Sequence, residues 1–441
     1  MSLVDRVKLA TRQTEVFVGH EESRQLEALK QSLNQRISSD EIAAIAAKSP
    51  FRAKNEIKTA CARIFEEPIW LDVAAETKEQ LIEKLIDMVF GLGPLEGMLQ
   101  DNEITEIMVN GSQSVFYEKD GKLYASDYVF ADNDQVRALI DRIIGPLGRR
   151  IDEASPMVNA RLKQGHRVHA IIPPLSLEGP VLTIRKFREH IFTLTEMREI
   201  GTIDQGVRQF LIWMVLLRKN IAISGGTGSG KTTFLNALSC EIEETERIIT
   251  IEDSAELKFS THPHVVRLEA RPRNAEGTGE VTIRDLVINA LRMRPDRIIV
   301  GECRGGEALD MLVAMNTGHD GSLTTLHANS PADAVMRLVT MVRYVADLPL
   351  SAIEAQISGA IDVLIQTARA IDGLRYVQEI ALFRMSDDRS RCEVDTLFRR
   401  DEGQDSGVWS ALPSWLDEIV SKRIASQKEV NAWKQQVLSP A

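Results

Sequence analysis

The chain has 441 residues, 44% of them apolar and 27% charged, the mixture of a folded globular protein with two or three domains rather than of a disordered one. Its 53 basic and 64 acidic residues leave a formal net charge of -11, which repels a polyphosphate backbone at long range and disfavours nucleic acid as a direct partner. The four cysteines, Cys61, Cys240, Cys303 and Cys392, are scattered with no CxxC spacing, which argues against a disulfide framework or a structural zinc site and fits a reducing compartment.

The N-terminus, MSLVDRVKLATRQTE, lacks the apolar core of a signal peptide, so the reading keeps the chain in the cytosol. Residues 1–78 are charged and helix-prone, with Leu26, Leu29, Leu33 and Ile37 at helical spacing, and are read as a helical N-terminal extension. Residues 79–190 open with an amphipathic helix, LIEKLIDMVFGLGPLEGML, and continue into strands. Val115 to Glu118 and Lys122 to Ala125 flank Asp120-Gly121, a short-range hairpin signal. A helix from Asp134 to Ile144 and strands near His166 to Ile172 and Val181 to Lys186 complete a mixed α+β domain.

After a linker at 191–204, residues 205–385 alternate helices and apolar strands, the pattern of a parallel α/β sheet. Thr202-Ile203-Asp204-Gln205 has the capping-box form and predicts the start of a helix ending near Lys219. That helix holds the longest compact apolar run, Phe210 to Leu217. It falls far short of the roughly 18–20 residues that span a bilayer, so no transmembrane segment is expected. Strands follow at Asn220 to Ser224, Arg247 to Glu252, Val265 to Leu268, Arg297 to Val300 and Ser322 to Leu326, with a helix capped by Ser330 and a closing hairpin at Asp372-Gly373. The polar tail, 386–441, has Trp409, Trp415 and Trp433 as its large anchors and no assigned task.

Gly225-Gly226-Thr227-Gly228-Ser229-Gly230-Lys231-Thr232 matches GxxxxGK[ST] directly after an apolar strand and before a helix. Its glycines let backbone N–H groups curl toward a phosphate, and the helix N-terminus adds a positive dipole. Lys231 reaches the β- and γ-phosphates of ATP, the Thr232 hydroxyl serves Mg²⁺, and Thr233 completes the ATP-binding set. Acids stand at two strand ends: Glu252, Asp253 and Glu256 after Ile248–Ile251, and Glu302 after Ile298–Gly301. A carboxylate there orients water or holds hydrated Mg²⁺, through water in the case of Glu302. The alternative for each is a surface acid or a structural ion pair. His319 and His327, taken alone, read as hydrogen-bonding structural residues, and His262 and His264 as loop residues without the companions a metal needs.

These motifs in this order resemble the type II/type IV secretion ATPase superfamily. They are Walker A, the acidic "Asp box" Thr250–Glu256, the Walker B segment Arg297–Arg304, and the "His box" Thr317–Ala328. Gly301 stands where other P-loop enzymes carry the Walker B aspartate, a departure typical of that superfamily. Within it the chain is similar to the CpaF/TadA-like branch that powers tight-adherence (Flp) pili. The matching segments are Phe90–Glu96, Glu103–Gly111, Ala160–Arg161 through Arg167–Pro174, and Leu182–Phe187.

The resemblance implies a RecA-like P-loop ATPase domain behind a PAS-like α+β domain. It further implies a hexameric ring at the cytoplasmic face of the inner membrane and a membrane platform protein as partner. It implies Arg161 and Arg167 as γ-phosphate arginines, Arg185 as a nucleotide-cleft residue, Glu256 as water activator and His327 as a further catalytic residue. An arginine finger from Arg267, Arg271 or Arg273 would act on the next subunit. Rival readings are a type IV secretion ATPase moving DNA or effector proteins, a nucleotide-switched scaffold that does not hydrolyse, and a small-molecule kinase.

Overall fold

The computed structural model describes residues 24–438, apart from 27, 39–40, 43–44, 46–48, 91, 93–94, 120, 148, 163, 188–191, 260–261 and 274–276. The N-terminal stretch read for a signal peptide, and Gly91, Gly93, Pro94 and Asp120 of the segments above, lie outside the described residues. The chain divides into two units, 1–187 and 188–441.

In the first unit, helical residues at 28–36 and helices α1 (Pro50–Ile64) and α2 (Ala75–Phe90) share a core. Leu29, Leu33, Ile57, Cys61, Ile64, Leu81 and Leu85 interlock there, each at one-turn spacing from the next on its own helix. The predicted apolar face at Leu29 and Leu33 is therefore an interior one. The unit also holds a six-stranded antiparallel sheet built from β1 (Ile104–Asn110), β2 (Val115–Lys119), β3 (Lys122–Ala125), β4 (Met157–Arg161), β5 (Arg167–Ile171) and β6 (Val181–Arg185). Its order is β3-β2-β1-β6-β5-β4. Helix α3 (Asn133–Ile144), capped by the Asp132 carboxylate, buries Val136, Leu139, Ile140 and Ile143 in the same core as sheet residues Ile107, Val109, Val168 and Leu182.

The second unit carries nine strands: β7 (Ile221–Gly225), β8 (Ile248–Glu252), β9 (Val265–Glu269), β10 (Arg297–Cys303), β11 (Leu323–His327), β12 (Val363–Arg369), β13 (Arg375–Met385), β14 (Cys392–Arg399) and β15 (Val408–Trp409). Their order is β15-β14-β13-β12-β7-β11-β10-β8-β9. The six strands from β12 to β9 pair in parallel, and β13 to β15 extend the sheet antiparallel. β7 and β8 are buried at every position, as strands covered on both faces must be. This is the RecA-like P-loop arrangement.

Three local features differ from the sequence reading. The capping box at Thr202–Gln205 does not form. Helix α4 (Gln205–Leu216) is instead capped by Asp204, whose carboxylate accepts the Val207 N–H at 2.8 Å. Thr202 is buried, and its carbonyl takes the Val377 N–H at 3.0 Å, so the sheet claims the residue before the helix can. A reciprocal box does form at Thr193–Glu196, one short helix earlier. The helix also stops at Leu216, because Arg218 adopts a left-handed φ of 59°. Finally, the polar tail is structured and shares the core of this unit. Trp433, on helix α5 (Gln427–Leu438) as the last helix, and Trp409, on β15, surround Phe210, with ring centroids 6.2 and 5.2 Å away.

Candidate active site

The phosphate-loop helix, Lys231–Ser239, starts where β7 ends, in the middle of the sheet. Gly225 closes the strand in a conformation that leaves no room for a side chain. A Cβ there would lie 2.5 Å from Ser229 Oγ and from the Thr367 carbonyl and hydroxyl oxygens. Gly228 and Gly230 are left-handed, at φ of 74° and 91°, which glycine adopts without strain. Gly230 is the helix N-cap and brings no side chain to it, so the first N–H groups are open to an anion. Thr227 and Gly226 lie on the loop between these glycines, and Ser229 Oγ bonds the Gly226 carbonyl at 3.0 Å. Thr232 and Thr233 follow Lys231 in the first helical turn. The donor set fits the phosphates of ATP, with Thr232 able to serve Mg²⁺.

On one flank of the loop, side chains converge from β11, from β10 and from Arg304 just beyond it. Lys231 is buried, and its ammonium donates to the carbonyls of Gly225 and Gly226 at 3.1 and 2.9 Å. Burial lowers its pKa, the Glu302 carboxylate opposes this, and Arg304 adds to it. His327, the last residue of β11 and in register with Gly225, stands 3.4 Å from Lys231 through Nδ1 and 2.9 Å from Glu302 Oε1 through Nε2. Burial and Lys231 hold this imidazole below its ordinary pKa. Arg304 bonds Glu302 Oε2 at 2.6 Å and feels the charges of Asp253 and Glu256 as well. Lys231, Glu302, Arg304 and His327 thus form one cluster, with Glu256 near its edge. The other box histidine, His319, bonds the Ala314 carbonyl at 3.3 Å and serves its own turn.

The Asp box is not a set of equivalent acids. Glu252 is buried and accepts two backbone N–H groups of its own loop, in place of the ion pair weighed from sequence. Beyond the box, Arg267 lies on β9, Arg271 bonds the Gly279 carbonyl at 2.6 Å, and Arg273 pairs with Glu280 at 2.8 Å. His262 and His264 are loop residues engaged by the Glu243 carbonyl and by Arg247, at 3.0 and 2.5 Å.

The other predicted arginines lie in the first unit and share one row of its sheet. Arg161 ends β4 opposite Arg167 of β5, and Arg167 is opposite Arg185 of β6. Directly paired residues face the same side, so three like-charged side chains leave neighbouring positions of one face, an arrangement that is destabilising unless the charges are compensated. Arg161 also lies 5.7 Å from the centre of the Phe187 ring, and the row continues into Glu106 across from Arg185.

Two further cations escaped the sequence reading. Arg369 and Arg375 face each other across the β12–β13 hairpin, on the flank of the phosphate loop opposite β11. Arg375 Nε donates to the Gly228 carbonyl at 3.0 Å, and a Cβ at Gly228 would lie 3.6 Å from the Arg369 guanidinium. The signal available was the Asp372-Gly373 turn, which pairs whatever residues flank it.

Residues 90–379 match the family model described as "Type II/IV secretion system protein". The chain belongs to this family. It is 39% identical over 319 residues to a putative conjugal transfer protein of Mycobacterium tuberculosis strain H37Rv, covering 71% of this chain and 90% of that one. It is 34% identical over 305 residues to the type IV secretion system protein PtlH of Bordetella pertussis, covering 64% and 90%. Among solved structures, the pilus retraction motor PilT with bound ADP superposes with a TM-score of 0.51 at 20% identity, over 78% of this chain and 88% of that one, which supports the fold of this secretion family member.

Proposed function

We propose that this secretion-family protein is an ATPase motor. It binds ATP and Mg²⁺ at the phosphate loop, hydrolyses the γ-phosphoryl bond as a hexameric ring at the cytoplasmic face of the inner membrane, and drives a platform protein that assembles a Flp/Tad-type pilus or exports protein. The observation that carries the reading is the cluster around Lys231: an open helix N-terminus, a buried ammonium, and Glu302 hydrogen-bonded by Arg304 with His327 close to its other oxygen. Mg²⁺, once bound by Thr232 and, through water, by Glu302, supplies charge neutralisation at the phosphates.

The chain's own groups do the rest. The loop N–H groups and Lys231 bind the phosphates, Glu256 accepts the proton of the attacking water, and His327 orients Glu302. The three arginines of the first unit offer planar cations to the charge that develops on the transferred group. The Glu302→Gln variant is expected to keep nucleotide affinity while turnover falls by about 10²–10³-fold, the usual loss for a group that acts in the transition state. Fluorescent-nucleotide binding beside phosphate release measures both. Undiminished hydrolysis would remove Glu302 from the mechanism.

A second reading keeps the ATPase and changes the cargo to DNA or effector proteins. It is favoured by relatives whose names place them in conjugal transfer and type IV secretion. Direct DNA binding that falls steeply with salt would support it, against the acidic balance of the chain.

A further inference from the structure

Glu252 is the last residue of β8 and is 3% exposed, yet it is an ionisable group within the Asp box. Its Oε1 accepts the backbone N–H of Glu256 at 2.7 Å and of Leu257 at 2.9 Å, so one carboxyl oxygen ties down the two peptides on either side of the Glu256 Cα. Its other oxygen, Oε2, is buried with no hydrogen-bond partner among the described residues. A buried, half-satisfied carboxyl is a poor way to stabilise a fold, and such arrangements concentrate where function requires them.

Glycine at 301, one residue before Glu302, meets the same group. A Cβ there would lie 2.9 Å from Glu252 Cγ and 3.5 Å from Oε1. Glu252 therefore fills the side-chain space next to β10 at the position where sequence reading noted a missing aspartate. Any residue larger than glycine would push Glu252 away from the N–H groups it holds. Neighbouring residues of the loop have their own pegs: Ala255 N–H reaches Glu269 at 3.3 Å, and Lys258 N–H reaches Asn236 of the phosphate-loop helix at 2.9 Å. Leu257 anchors the far end in the core. The peptide N–H of Glu256 itself is held by Glu252.

We propose that Glu252 is a positioning residue that sets where the Glu256 carboxylate stands, and that Gly301 is the complementary half of the same device, kept small so that Glu252 can enter. This rests on Glu256 being the water activator of the proposed hydrolysis. A displacement of about 1 Å in a catalytic group costs about 10²-fold in rate without weakening ground-state binding, so the device should act on kcat and leave the KM for ATP in place.

The test is steady-state ATP hydrolysis by the full-length protein and its Glu252→Gln, Glu252→Ala, Gly301→Ala, Glu252→Ala/Gly301→Ala and Glu256→Gln variants, each checked for folding by thermal denaturation. The glutamine carbonyl accepts the same two N–H groups, so Glu252→Gln is expected to restore most of the turnover that Glu252→Ala loses, a loss of about 10²-fold in kcat. Gly301→Ala is expected to lose kcat too, and the double variant to be no worse than Glu252→Ala alone, because contacting residues are non-additive. If Glu252→Ala does not fold, Gly301→Ala against Glu252→Gln carries the comparison. Wild-type kcat in Glu252→Ala and Gly301→Ala, beside an inactive Glu256→Gln, would overturn the positioning role alone. Glu252→Gln as inactive as Glu252→Ala would also overturn it and make the carboxylate itself the reacting group. A fully active Glu256→Gln would instead overturn the assignment of Glu256.

Discussion

Glu252 also sets a pH dependence. Burial pushes its pKa up from 4.5 to about 7, against the Glu256 and Leu257 N–H groups and Arg267, with the Glu256 charge adding to the rise. Between those values the folded chain keeps a proton that the unfolded chain has released. Stability therefore falls as pH rises through this window, and the full cost, on the order of 3 kcal/mol, is present above pH 7. The Glu252→Gln variant is expected to be more stable than the wild type at pH 8 and to lose that advantage near pH 4.5. Urea denaturation of the two proteins at both pH values measures the difference, and an equal gap at both would show that Glu252 does not titrate there. Sequence marks this residue only as one acid among three. What separates Glu252 from Asp253 and Glu256 is burial, and burial is decided by the next strand and its glycine. Lys231 and the loop glycines were legible because every constraint on them is local: a strand end, three backbone turns and a helix start lie within nine residues of one another. Arg375 was not, since the carbonyl it bonds is 147 residues away along the chain.

At the scale of elements, apolar pattern located five of the six parallel strands, because a strand covered on both faces must be apolar throughout, and turn residues located two hairpins; β1, β4 and β12 were not read as strands. The pattern failed on the tail. β14 has an intermediate burial pattern with no clear alternation, and the last helix is polar except for Val430, Trp433 and a few flanking groups. These residues are ordered by aromatic packing that no local pattern announces. Trp433 stacks on Phe210, meets the edges of Trp213 and Trp409 at 5.4 and 5.2 Å, and donates its indole N–H to the Gly206 carbonyl at 2.9 Å. Trp433→Ala is expected to destabilise the second unit by about 3–5 kcal/mol, the cost of a large aromatic truncation, with the donor's loss included. Chemical denaturation would measure it. A change under 1 kcal/mol would mean that the last helix is an appendage after all. The capping error has a similar origin: Thr202 looks like a cap in sequence, but the sheet claims its carbonyl and Asp204 caps the helix instead.

For the whole molecule, two sets of guanidinium groups stand where like charges adjoin: Arg161, Arg167 and Arg185 in the first unit, and Arg369 with Arg375 beside the phosphate loop. Both rows are local concentrations of positive charge in a chain of net charge -11. The measurement that tests this account most directly is phosphate release from ATP over a wide range of protein concentration, with the Lys231→Ala variant as blank and native mass recorded at each point. The account predicts Lys231-dependent turnover whose specific activity rises with concentration and levels off as the hexamer forms. Turnover that is the same per chain in monomer and oligomer would contradict the ring mechanism, and turnover equal to the blank in assembled hexamers would contradict the ATPase assignment itself.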